Sequence, residues 1–342
     1  MNKIREKIKG MSDTNLLLSI TIIVFFLMYI GAIVFQGAGF RKFQTLFNIL
    51  DTNAYLILLA CGLSIVMING SIDISVGGVT ALVSMCCAVY LDYNNSPNLW
   101  VSVLIALGIG LAFGLVQGIL IAYLDIQPFI VTLAGMFFAR GMTTIVHTNP
   151  FNVENPNFVA LKDTRIQIPF LAQENNKHIS VAPYIEIGAI VAIVIVIVLF
   201  FVLKYTKLGR NFYAVGGNAQ SALMLGINVK QTKFLAHLLC GALAGIGGYV
   251  YFLHIGSGSP SHASGAEMNA IASSIIGGTL LTGGVGNIIG TFFGVLSLTT
   301  IQNIVSSAGL DQAWWTGITI AAMLCLFLVI QSVVMARKKK SK

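Results

Sequence analysis

The sequence predicts an all-α polytopic membrane protein of about ten transmembrane helices, and three observations carry the prediction. Only 9% of the 342 residues are charged and 56% are hydrophobic, where a soluble chain carries about 25% charged residues. Mean hydropathy is +0.85. Apolar runs such as IVAIVIVIVLFFVL are unbroken. They suit a helix, which needs about 20 apolar residues to span lipid, and lack the alternation of a membrane β-strand. The 35 glycines fit close helix packing in a bilayer, which favours small residues.

In chain order, spans are expected near 15–36, 45–68, 74–91, 99–124, 128–147, 182–203, 234–254, 267–286, 288–306 and 314–334. Glycines interrupt the pair around 267–306. The first run follows a basic start and is too long for a signal-peptide core, so it is expected to be a retained span. An even number of spans places both termini on one side, and basic residues decide which. Fourteen lie on the terminus side: Lys3, Arg5, Lys7 and Lys9, then Lys204, Lys207, Arg210, Lys230 and Lys233, then Arg337, Lys338, Lys339, Lys340 and Lys342. Five lie opposite: Arg41, Lys42, Lys162, Arg165 and Lys177. Residues 1–342 are therefore expected to form one transmembrane domain with cytoplasmic termini, an external loop at 148–182 and a cytoplasmic strip at 204–233. The net charge of +8 follows from this topology, and a nucleic-acid role gains no support.

Two stretches mix glycine with hydroxyl residues at the end of an apolar run: NGSIDISVGGVTAL (69–82) and IGGTLLTGGVGNII (276–289). They would occupy corresponding places in two five-helix halves, where interrupted spans point to a substrate path; chance recurrence of glycine-rich packing motifs is the alternative. Broken or re-entrant backbone is expected near 69–78 and 265–287. In the first, Asn69, Asp73 and Ser75 are candidates for the path. A carboxylate inside a bilayer is costly and usually functional, while Asp73 and Ser75 can equally cap a helix start. In IQPFIVTLAGMFFARG (126–141), Pro128 can open a helix, and Arg140 either snorkels to the outer interface or faces an aqueous cavity. In GAEMNAIASSIIGGTLLTGGVGN (265–287), Glu267 and Asn269 stand at the outer end, followed by Ser273, Ser274, Thr279 and Thr282. Those small and hydroxyl residues serve tight packing, a path for a neutral polyol, or both.

The five cysteines lie in apolar segments without metal-ligand spacing. The histidines share no HExxH spacing, and no GxxxxGK[ST] or GxSxG occurs. No metal, cofactor or catalytic activity is expected of the chain itself. The strip TKLGRNFYAVGGNAQSALMLGINVKQTK (206–233) contains an N-cap residue, Asn218, and a stop, Gly226. Between them Ala219, Ala222 and Leu223 share a face that Ile227 continues. So short a helix is marginal in water alone. It docks either on the protein's own membrane ends or on a cytoplasmic partner.

The order of these motifs resembles the permeases of bacterial ATP-binding-cassette (ABC) sugar importers of the ribose/galactose/xylose type, over nearly the whole chain. NGSIDISVGG, LAGMFFARG, GRNFYAVGGNAQSALMLGI and IGGTLLTGGVGNIIGTFFGV carry the resemblance. LAGMFFARG, GGTLLTGGVG and DQAWWTGITI look most like the galactofuranose-type branch. One departure is Ser71, where the family often has glycine. The resemblance implies a multi-pass protein of the bacterial cell membrane that translocates a monosaccharide delivered by an external binding protein. It implies a second permease chain, identical or related, and a cytoplasmic ABC ATPase, as separate subunits or a tandem protein, which uses ATP and Mg. It assigns contact with the ATPase to Gly209, Arg210, Tyr213, Gly216, Gly217, Asn218, Ala222, Leu223 and Gly226. Two other readings fit the spans: an ion-coupled secondary transporter, for which Asp51, Asp73 and Glu267 are the few acids on offer, and a non-transporting membrane scaffold.

Overall fold

The computed structural model describes residues 13–36, 39–93, 98–174, 180–310 and 312–339. Lys3, Arg5, Lys7, Lys9, Lys177, Lys340 and Lys342 of the charge count lie outside them. The order is α1 (Asp13–Gln36), α2 (Phe43–Ile68), α3 (Val76–Tyr93), α4 (Leu99–Ala122) and α5 (Pro128–Val146). A loop follows with β1 (Phe151–Asn152), α6 (Pro156–Lys162), β2 (Arg165–Gln167), β3 (Gln173–Glu174), β4 (Ser180–Val181) and β5 (Tyr184–Glu186). Then come α7 (Ile187–Tyr205), α8 (Lys207–Gly217), α9 (Ala219–Met224), α10 (Val229–Ile255), β6 (Ser257–Gly258), α11 (Ala266–Ile276), α12 (Ile288–Ser307) and α13 (Ala313–Lys339). The protein is an all-α polytopic membrane protein.

Nine helices among the described residues are long and apolar enough to span a membrane, against the ten expected. The discrepancy is at 267–286. There α11 is a helix of 11 residues, about 16 Å long, and the chain continues irregularly to Asn287. The cause is the glycine cluster: Gly278, Gly283 and Gly284 all take positive φ, which a helix cannot use. The first break also forms, between Ile68 and Val76, so both expected interruptions are present. Three boundaries move by five residues, one of them the end of α13, at 339 rather than 334. Strand β5 carries the loop on to Glu186, so α7 begins at 187 rather than 182, and α10 begins at 229 rather than 234.

Helix α2 forms the centre. Ile57, Leu58, Leu59, Leu63 and Ile65 on it are fully buried, and α10, α12, α11 and α7 pack around it. Outer helices turn side chains such as Leu27, Leu104, Phe137 and Val198 outward, where lipid is the solvent. Association here depends on fit, since lipid tails give apolar side chains no reason to seek one another. One such close fit joins α4 to α10. Gly110 and Gly114 on α4 lie against Gly241 and Gly245 on α10, and a Cβ at Gly110 or Gly241 would strike the other helix's backbone.

The loop between α5 and α7 folds as short ribbons. β1 pairs antiparallel with β6, β2 with β5 and β3 with β4. Phe158 of α6 anchors it, fully buried and stacked on Phe252 at 4.5 Å. Side chains of α2 hold its far end: Gln44 exchanges hydrogen bonds with the Tyr184 backbone, and Asp51 accepts from the Glu186 amide at 2.9 Å.

Gly110→Val is expected to lower the thermal midpoint of the detergent-solubilised protein, because overpacking costs about 1–3 kcal/mol. Gly141→Ala, where a Cβ meets nothing within 4 Å, is expected to leave it unchanged. Equal midpoints would show that the α4–α10 contact is not close-packed.

Candidate functional site

At the first break, Asp73 is buried and its Oδ1 accepts from the Ser75 amide at 2.9 Å and the Ser75 hydroxyl at 2.7 Å. Gln117 of α4 donates to the Ser75 Oγ at 2.9 Å, and Ser71 pairs with His237 Nε2 of α10 at 2.9 Å. The second Asp73 oxygen lies 3.9 Å from His237 Nδ1. Thus the polar residues of 69–75 start α3 and tie it to two neighbouring helices. They satisfy backbone and side-chain groups that lipid would leave bare. Asn69 caps the end of α2, buried, with both amide atoms unpartnered. His237 was unassigned by sequence reasoning. Separated from Asp73 by 164 positions (237 minus 73), it sends no signal through spacing.

The second break faces the first. Glu267 lies in the first turn of α11 and its carboxylate abuts Gly77 at the start of α3. Two helix N-termini therefore meet inside the bundle around a carboxylate, the sign their dipoles favour. Arg140 comes within 3.8 Å of Glu267. It donates to the His262 carbonyl and, at 2.8 Å, to that of Ala263. It neither snorkels nor points into open space, but clamps the 256–265 segment to α5. Asn269 is half-buried on α11, and Ser273 is buried with its hydroxyl unpartnered. Ser274 donates to Ala60 O of α2 at 3.0 Å. At its other end α11 stops within the bundle. Thr21 of α1 donates to the Ile276 carbonyl at 2.8 Å, and Gln331 of α13 donates to that of Ile275.

The strip after α7 contains two helices where sequence reasoning expected one. α8 buries Gly209, Phe212 and Val215, and Thr206 caps it by accepting from the Gly209 amide. The signal was the apolar spacing of Leu208, Phe212 and Val215 against Lys207 and Arg210. Arg210 itself is exposed and reaches back to the Tyr205 carbonyl. α9 is capped by Asn218, which accepts from the Ser221 amide at 2.8 Å, and it ends before Gly226 at φ 79°. The expected shared face divides. Ala222 is buried, but Ala219 and Leu223 point outward. Leu223, Met224 and Leu225 are 63%, 82% and 80% exposed, an apolar knob at the tip of the strip.

Between strip and bundle lies a junction of bare backbone. A Cβ at Gly216 would strike the Ile68 carbonyl, and one at Gly283 would come within 2.9 Å of Gly70 Cα. A Cβ at Gly284 would reach Gly217 Cα at 2.7 Å. The Gly284 amide donates to Ile68 O at 2.8 Å. Tyr213 donates to Gly286 O at 2.9 Å, and burial pushes its hydroxyl pKa up to about 12, which keeps it a donor. One surface helix therefore touches both broken segments at once. Among the described residues, no cluster of His, Cys, Asp and Glu is arranged to hold a metal ion.

The comparisons agree with this architecture. The sequence profile described as branched-chain amino acid transport system / permease component matches residues 45–328. The chain is 37% identical to the inner membrane ABC transporter permease protein YjfF of Escherichia coli, over 94% of this chain and 93% of that one. It is 33% identical to the fructose import permease protein FruG of Bifidobacterium longum, over 98% and 96%. It is 32% identical to the ribose import permease protein RbsC of Escherichia coli, over 89% and 90%. No solved structure matches. With the match running from α2 into α13, the chain belongs to the family of branched-chain amino acid transport system permease components.

Proposed function

We propose that the chain is the membrane-spanning permease subunit of an ATP-driven importer of a monosaccharide. The observation that carries this reading is near full-length similarity to sugar import permeases, the ribose and fructose proteins among them. The motifs LAGMFFARG, GGTLLTGGVG and DQAWWTGITI favour a galactofuranose- or ribose-like sugar. The chain lies in the bacterial inner membrane; α11 and the 277–287 segment together carry it from the outer end to the junction with α8, which keeps both termini cytoplasmic, and it pairs with a second permease, identical or related. An external binding protein delivers the sugar onto the 147–186 loop. A cytoplasmic ATPase, which holds ATP and Mg, grips α9 through Leu223, Met224 and Leu225. Three apolar side chains held out on a capped turn gain free energy when a partner buries them.

The junction supplies the coupling. Glycine-to-glycine contacts leave no flexible side chains between α8 and the two breaks, so a displacement of α8 passes directly to the ends of α2 and of the 277–287 segment. Gly209, Gly216, Gly217 and Tyr213 act in this transmission rather than in gripping the ATPase. Family and relatives favour this reading over ion coupling, since the relatives are named as ABC or import permeases. The buried Asp73 and the Arg140–Glu267 pair serve the architecture instead.

Three outcomes test the reading. Leu223→Asp is expected to cut recovery of a P-loop ATPase on affinity purification at least tenfold, as loss of an interface anchor of about 2 kcal/mol would. Because the side chain is exposed, the permease should remain folded; undiminished ATPase recovery would remove α9 as the contact. Gly216→Val should leave the ATPase bound while sugar uptake is lost, and uptake at the wild-type rate would break the proposed transmission. Uptake should also continue under proton and sodium uncouplers while ATP is clamped. Collapse under those conditions would restore the ion-coupled alternative.

A further inference from the structure

Of the path candidates, Asp73, Ser75 and Arg140 have hydrogen-bond partners within the bundle, and a cavity of about 850 Å³ with mixed polar and apolar walls lies elsewhere. It opens where α1 ends, α2 begins and α12 ends. Its walls include Phe35, Asn48, Thr52, Asn53, Asn303 and Ser307. We propose that this cleft is an entry site where a neutral polyhydroxylated ligand, a monosaccharide, first contacts the permease. The inference rests on the sugar-import reading and adds a site to it.

Helical spacing builds the cleft. Asn48 and Thr52 stand four residues apart on α2, as do Asn303 and Ser307 on α12, so each pair projects from one face. Facing lipid, these groups would lack partners at a cost of several kcal/mol each, so they belong on a face that meets water or a polar ligand. They also retain free valences. Gln44 donates to Asn48 Oδ1 at 2.7 Å, leaving the Asn48 amide hydrogens to donate. Asn53 donates to Ile49 O at 2.9 Å, leaving its Oδ1 to accept. A sugar hydroxyl is both donor and acceptor, and this mixture suits it. Phe35, 89% exposed, offers an aromatic face beside them.

The lining also discriminates. Among the described residues, it contains no charged side chain. Asp51 on α2 accepts from the Glu186 amide through Oδ1. A zwitterionic amino acid would bring two charges into a cleft with no counter-charge, which is unfavourable where water is partly excluded. A neutral sugar brings none. The volume falls within the 300–1,000 Å³ typical of small-molecule sites. Position fits entry. Asn53 precedes Ile68 by fifteen residues of helix, about 22 Å, so the cleft is at the end of the bundle remote from α8 and α9. Gln44, which contacts Asn48, also holds the Tyr184 backbone of the 147–186 loop.

The test uses the full transporter in right-side-out membrane vesicles. Thr52→Cys and Asn303→Cys are to be labelled with a membrane-impermeant thiol reagent, against the wild-type background, with D-ribose, D-fructose, D-galactose or L-leucine added. The expected result is labelling from outside that at least one sugar slows and leucine does not. In parallel, Asn48→Leu combined with Asn303→Leu should raise the half-saturation of sugar uptake about tenfold, the effect of a lost polar contact, with ATPase recovery unchanged. No labelling, protection by leucine alone, or unaltered uptake in the double variant would each overturn the site. If the sugar-import reading itself is wrong, wild-type vesicles energised with ATP will take up none of the three sugars. If only the cleft is wrong, wild-type uptake is intact and the variants match it.

Discussion

Three stretches of main chain meet with no side chain between them: the end of α2 at Ile68 and Gly70, the end of α8 at Gly216, and the turn at Gly283 and Gly284. Much of the structure depends on this contact. A broken helix in lipid exposes backbone groups that must find partners within the protein. Here the Ile68 carbonyl finds the Gly284 amide, so each break helps satisfy the other. Only glycine permits so close an approach, and Gly283 and Gly284 also need their positive φ. The same residues thus make the interruptions possible, join them, and seat the surface helix on them.

Deeper in the bundle, side chains take over. Asp73, Ser75, Gln117, Ser71 and His237 form a connected polar group that opens α3 and fastens it to α4 and α10. Glu267, Arg140 and the 262–263 carbonyls do the corresponding work for α11. A buried carboxylate is tolerated when it is well hydrogen-bonded, and removing one partner costs more than the pair contributes. These groups therefore specify where the interrupted helices begin.

Much of this was legible in the sequence. Apolar runs placed nine long helices, glycine and hydroxyl clusters located both breaks, and Asn218 with Gly226 framed α9. Pro128 opens α5 as its fixed φ suggests. What escaped has physical causes. The tenth span was expected because the 267–286 run is apolar enough, yet apolarity says nothing about φ, and the glycines end α11 after 11 residues. Helix α8 escaped because glycines diluted its apolar stripe. The face that Ala219, Ala222 and Leu223 were expected to share divides, because periodicity identifies neighbours on a helix but not which side docks. The Asp73–His237 proximity and the polar cleft between α1, α2 and α12 depend on segments far apart in the chain, and no local pattern encodes them.

The blunt end of α11 has a consequence for how the protein is made. Its last carbonyls are met by Thr21, from the first described helix, and Gln331, from the last. As the chain emerges from the ribosome, Thr21 is already in the bilayer when the half-helix arrives, but Gln331 is still about 55 residues from synthesis. Until then the Ile275 carbonyl must be sheltered by water or by the insertion machinery, because lipid offers it nothing. The half-helix is therefore among the last elements to reach its final depth. Arrival of α13 supplies the partner that the Ile275 carbonyl lacks until then.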